Sequence, residues 1–208
     1  MQSQVDILTK FAEACWQLQI DYDLCSDLFF QSDRHTELLQ ATAPYLFGDL
    51  CRIVRNHLFV GFCSVTDPAG TGQRVNLTTN FILELDWEPE TKARLKDVNA
   101  RLMSFRKHVE PARSKRIAHM DLHAQIEDRR PLGAFPPGAE KQFFKDLEEF
   151  LTIAYQALNR GPFSLSVAVA GDTHRLFRAL TKATLFDQCQ KCDGIERSNA
   201  ILDLEQEI

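Results

Sequence analysis

Apolar residues recur every third or fourth position from Val5 to Phe30, at Leu8, Phe11, Cys15, Leu18, Tyr22, Cys25 and Phe29. That is the spacing of one buried helical face, and it predicts a long first helix. Ser32 and Asp33 then offer a break and a cap. Beyond them Leu38, Leu39, Leu46, Leu50, Ile53, Val54, His57 and Phe62 continue the period to Val65, with Pro44 placed to bend or split the segment. His57 falls on the apolar side and reads as a satisfied core histidine.

Asp67-Pro68-Ala69-Gly70-Thr71-Gly72 is turn chemistry, because proline fixes one dihedral and the glycines allow positive φ. Asn76 is placed to cap a short helix carrying Leu77, Phe81, Ile82 and Leu85. A longer helix is predicted from Glu88-Pro89 through Leu95, Val98, Leu102 and Phe105, with Pro111 interrupting it ahead of a separately directed or kinked helical piece from Ala112 to about His123. The Pro- and Gly-rich stretch 129–138 reads as loop. Phe143, Leu147, Phe150, Leu151, Ala154 and Leu158 then give the cleanest amphipathic helix of the chain. Residues 163–169 alternate like a strand, but one strand without a partner cannot satisfy its backbone, so an extended or irregular segment is expected. A helix from Asp172 to Phe186 follows, with a possible last one near Glu196 to Glu205.

These elements make an all-α chain. With 44% apolar residues among 208, one helical domain over residues 1–188 and a polar tail over 189–208 suffice. No uncharged run is long enough to span a membrane, and the first residues lack the basic patch and apolar stretch of a signal peptide, so a cytoplasmic location is expected. Four of the six cysteines (Cys15, Cys25, Cys51, Cys63) sit inside helical apolar patterns and read as reduced core residues. Cys189 and Cys192 form a lone Cys-x-x-Cys without the second pair a structural zinc site needs.

A net charge of −5 argues against nonspecific coating of nucleic acid. Yet Arg101, Arg106, Lys107, Arg113, Lys115 and Arg116 crowd into residues 101–116 against a single acid, Glu110. That local excess suggests an anionic ligand, although such runs are more often a solvated helix face. Directly after it comes Arg113-Ser114-Lys115-Arg116-Ile117-Ala118-His119-Met120-Asp121. His119 and His123 lie four apart, a spacing that suits a metal, but no third ligand is evident and no metal or other cofactor is expected. No Walker or Rossmann glycine loop is present.

The 113–121 stretch resembles the arginine-to-histidine signature of the HEPN superfamily, and its Ile-Ala-His-x-Asp ending resembles the AbiU-like branch associated with phage abortive infection. Five residues separate Arg113 from His119, within the family's range, while Ser114 stands where such motifs commonly carry an amide or acid. Val65-Thr66-Asp67-Pro68 and Asn76-Leu77 are similar to that family's helix end, loop and next helix start, so the likeness in element order covers roughly residues 36 to 160. It implies a HEPN-like bundle of about six to eight helices, and a metal-independent endoribonuclease acting as toxin or phage-defence effector.

In that reading Arg113 holds the phosphate and His119 exchanges a proton near neutral pH. Lys115, Arg116, Arg106, Lys107 and Asp121 would contact RNA or support those contacts. On a regular helix Arg113 and His119 lie about 120° apart, and the resemblance implies a homodimer in which two motifs line one cleft. An antitoxin protein is a further expected partner. The runner-up is a non-catalytic module binding RNA, nucleotide or a partner protein. A third reading gives Arg113 and His119 structural contacts only.

Overall fold

A computed structural model describes residues 3–72, 74–114, 133–166 and 171–191. Seven helices lie among them: α1 Gln4–Phe29, α2 Asp33–Thr42, α3 Pro44–Ser64, α4 Thr79–Glu84, α5 Pro89–Ala112, α6 Ala139–Ala157 and α7 Gly171–Lys191. The expected all-α architecture is what the described residues adopt. Its one β feature among the described residues is a ribbon of two-residue strands, β1 Gly70–Thr71 and β2 Arg74–Val75, antiparallel with Gly70 opposite Val75. Gly70 sits at φ +91°, where a side chain would collide with the Arg74 carbonyl. The segment 163–166 is irregular, in keeping with its lack of a partner strand.

Ser32 caps α2 by accepting from the His35 amide, and Pro44 splits the second apolar segment by opening α3 at its first residue, where a missing N–H costs nothing. The cap of α4 is Thr78 rather than Asn76: the Thr78 hydroxyl accepts from the Phe81 amide. Asn76 instead closes the preceding loop, its side-chain amide donating to the Pro68 carbonyl and its backbone amide to that of Ala69. Pro111 does not end α5. The helix runs through it to Ala112 and opens into a wider, π-type turn at Arg113 and Ser114. A proline removes one rung of the ladder, which a loosened turn accommodates.

The chain divides into two compact units, Met1–Asp21 with Arg55–Val167, and Tyr22–Val54 with Ala168–Ile208. In the first, Leu8, Phe11, Cys15 and Leu18 of α1 are buried, as are Leu95, Val98, Leu102 and Phe105 of α5 and Phe143, Leu147, Phe150 and Leu151 of α6, the faces that the periodicity marks. Phe62 lies at the centre of an aromatic cluster, its ring centroid 5.2 Å from Phe105 and 5.1 Å from Phe143, both edge-on. Such edge-to-face pairs add stabilisation beyond the area they bury. Arg101 of α5 reaches across to the buried Asp146 of α6 at 2.8 Å. His57 is not a core residue: its side chain is exposed and pairs through Nε2 with Asp21 at 2.8 Å.

In the second unit α2 packs on α7. Leu39 and Phe177 are buried there, and the His35 ring stacks on Phe177 with centroids 3.6 Å apart.

Candidate functional site

The loop that leaves α3 is fixed carbonyl by carbonyl. The Val65 carbonyl accepts from the Thr79 amide at 2.9 Å. The Thr66 and Asp67 carbonyls both accept from the Asn80 side chain at 3.0 Å, and those of Pro68 and Ala69 accept from Asn76. Asn80 is itself held by Asn99 of α5, whose amide donates to its Oδ1 at 3.0 Å. Five consecutive acceptors are thus engaged, so the backbone that carries Asp67 has little freedom to shift.

Asp67 turns its carboxylate toward α5, where two arginines meet it. Arg106 is buried, and all its described bonds run to this corner of the protein. Nη1 donates to the Cys63 carbonyl at 2.7 Å and to the Thr66 hydroxyl at 3.3 Å. Nη2 donates to Asp67 Oδ1 at 2.7 Å and to Glu110 Oε1 at 3.3 Å. Burial works against its charge, but the hydrogen bond and charge of Asp67 outweigh that, and its pKa lies above the ordinary arginine range. Arg113, seven residues on and at the π-type turn, places Nη1 3.2 Å from Asp67 Oδ1 and Nη2 3.1 Å from Oδ2. This is a fork-to-carboxylate pairing, which fixes the plane of the guanidinium as well as its position.

The two pairs differ in exposure. The Arg106 side chain is 6% exposed and that of Arg113 36%. Arg106 is therefore not available to RNA, contrary to expectation, because its donors are spent on α3 and the loop behind it. Arg113 keeps a solvent-facing part, and the end-on fork leaves three of its five N–H groups unused by Asp67. Cys63, beside the arginines, has its thiol pushed up by burial against the opposing pull of Arg106 and Arg113, so it remains a protonated thiol rather than a nucleophile. Lys107 is exposed on α5, on a different side from its buried neighbour Arg106.

Lys115, Arg116, His119, Asp121 and His123 lie outside the described residues. Gly133, where the description resumes, is back against α5. It sits at φ +82°, and a Cβ there would meet the Phe59 ring at 2.9 Å and the Ala112 side chain at 3.0 Å. Among the described residues no group of three or more His, Cys, Asp or Glu side chains is arranged to hold a metal ion, and no helix is long and apolar enough to cross a membrane.

The sequence marked Asp67 as a turn residue and as part of the family-like helix end, but not as the partner of an arginine. Its partners stand 39 and 46 positions away, beyond any local spacing. An aspartate and an arginine forty residues apart carry no periodic signature.

The loop, the arginine pair and the helical frame around them occupy the span matched by one family profile, that of AbiU2 among the HEPN families, which aligns over residues 3–176. The chain belongs to the AbiU2 family of HEPN proteins. Comparison with curated proteins and with solved structures gives no match. Within the AbiU2 match fall the Asp67 loop, Arg106, Arg113 and the whole of the arginine-to-histidine stretch.

Proposed function

We propose that this AbiU2-family chain is a metal-independent endoribonuclease of the cytoplasm, acting as a toxin or phage-defence effector on RNA. The observation that carries the reading is Arg113, a guanidinium held in plane by a carboxylate and still partly in solvent. A phosphate oxygen approaching its free edge would meet donors that need little reordering, which is how an arginine stabilises charge building on phosphorus.

His119 supplies the proton transfer, since a histidine is the side chain that ordinarily exchanges a proton near neutral pH. The RNA 2′-hydroxyl loses its proton as its oxygen bonds to the adjacent phosphorus, and the 5′-oxygen leaves with a proton. The products are a 2′,3′-cyclic phosphate and a 5′-hydroxyl end. Two copies of the chain each contribute one motif to the cleft, with Lys107, Lys115 and Arg116 against the RNA backbone and Asp121 orienting a neighbouring basic side chain. An antitoxin protein would mask that cleft.

The test is incubation of the protein with labelled RNA in EDTA, beside His119→Ala and Arg113→Ala. Cleavage by the wild type alone, with cyclic phosphate ends, is the expected result. A folded wild-type chain that leaves a broad set of RNAs intact overturns it. A second reading, a module that binds RNA, nucleotide or a protein partner without cutting, draws on the same Arg113–Asp67 pair, since a guanidinium satisfied within the protein can serve structure alone. Binding without product would select it.

A further inference from the structure

We infer that Asp67 is the positioning residue of this site: anchored by Arg106, it holds Arg113 in the orientation that meets phosphate. The inference rests on the ribonuclease reading of Arg113 and adds a residue to it.

Three features of the geometry point the same way. Asp67 contacts Arg113 through both oxygens, at 3.2 and 3.1 Å, so it fixes a plane rather than a point. It is separately tied to Arg106 at 2.7 Å, so the carboxylate does not depend on Arg113 for its own place. Its backbone lies in the pinned stretch from Val65 to Ala69, whose carbonyls are taken up by Thr79, Asn80 and Asn76. An exposed arginine on a helix end samples many rotamers, whereas one edge-locked on a fixed carboxylate is already arranged before substrate arrives. A carboxylate present only to neutralise Arg106 would need neither the second oxygen contact nor the pinned loop.

Asp67→Asn keeps the shape of the side chain and removes its charge, and Asp67→Glu keeps the charge and moves it outward by one methylene. The two variants are compared with Arg113→Ala and with Asp67→Asn/Arg113→Ala, in EDTA, for RNA cleavage and RNA binding, after circular dichroism has shown each to be folded. In Asp67→Asn, kcat is expected to fall roughly 10- to 100-fold with KM changed far less. The double variant should be no worse than Arg113→Ala alone, because both changes remove one function. If Asp67→Asn fails to fold because Arg106 keeps only Glu110 as a charged partner, Asp67→Glu carries the test, with the same loss of kcat expected.

A folded Asp67 variant that cleaves as fast as wild type or faster, or whose defect multiplies with that of Arg113→Ala, overturns the inference. If wild type binds RNA without cutting it, the ribonuclease reading fails alone. Positioning is then read from affinity, where Asp67→Asn and Arg113→Ala must weaken binding without adding, and independent effects sink it. RNA neither cut nor bound ends both.

Discussion

Asp67 faces two guanidinium groups, and removing either one has a different cost. Arg106 is enclosed, so Arg106→Met would strip the buried Cys63 carbonyl and the Thr66 hydroxyl of a donor and leave Asp67 with Arg113 alone. Breaking a buried pair from one side costs about 3–5 kcal/mol, and urea denaturation should show it. Lys107→Ala, one residue on and exposed, should stay within about 0.5 kcal/mol of wild type. The sequence displayed the cluster of cations from 101 to 116 but not which of them face solvent, because Arg106 is claimed by residues about forty positions upstream.

Cys15 gives a residue-scale prediction with a sign. Burial pushes its thiol well above the ordinary range in the folded chain, whereas the unfolded chain releases that proton near the ordinary thiol pKa of about 8.5. Below that pH both states hold the proton and the contribution is constant. Above it the unfolded state binds fewer protons, so stability falls as pH rises, by up to about 1.4 kcal/mol per pH unit. Denaturation midpoints measured between pH 7.5 and 9.5 should fall more steeply in wild type than in Cys15→Ala.

At the scale of elements, the helices were readable wherever a face is apolar, because α1, α5 and α6 bury the residues their periods mark. Ends were harder. Asn76 and Thr78 are both good caps by type, and what separates them is that Asn76 is needed at Pro68 and Ala69, a tertiary demand. Pro111 marked an irregularity without saying which kind: of a break and a kink, α5 shows neither a stop at the proline nor a regular continuation, but a π-type turn at Arg113 and Ser114. An angle of about 120° between Arg113 and His119 assumes a regular helix from the arginine onward, and the widened turn at Arg113 removes that assumption. Gly133→Ala belongs to this scale as well. Its positive φ and its contact with Phe59 and Ala112 should cost more than about 1 kcal/mol, read as a lowered urea midpoint.

For the molecule as a whole, the acidic balance of −5 limits how the proposed RNA substrate could be held. Few phosphates can be neutralised at a time, so RNA affinity should depend only shallowly on salt. Arg113→Ala should reduce the slope of log affinity against log salt by about 0.7, the value of one phosphate contact on a single strand. Helical class and the arginine-to-histidine stretch were evident from the chain, while the division into two units, each built from separated stretches, was not, since α1 and α3 both contribute to each. Asp67 answering to two arginines also bears on descent. A lineage that lost Arg113 could still retain Asp67 for the sake of Arg106, but one that lost Asp67 would release Arg113 and weaken the hold on Arg106 at once. Drift through this corner of sequence space should therefore run in one order, the outer arginine first and the aspartate last, so a relative lacking the proposed cleavage would be recognised by an aspartate outliving its arginine.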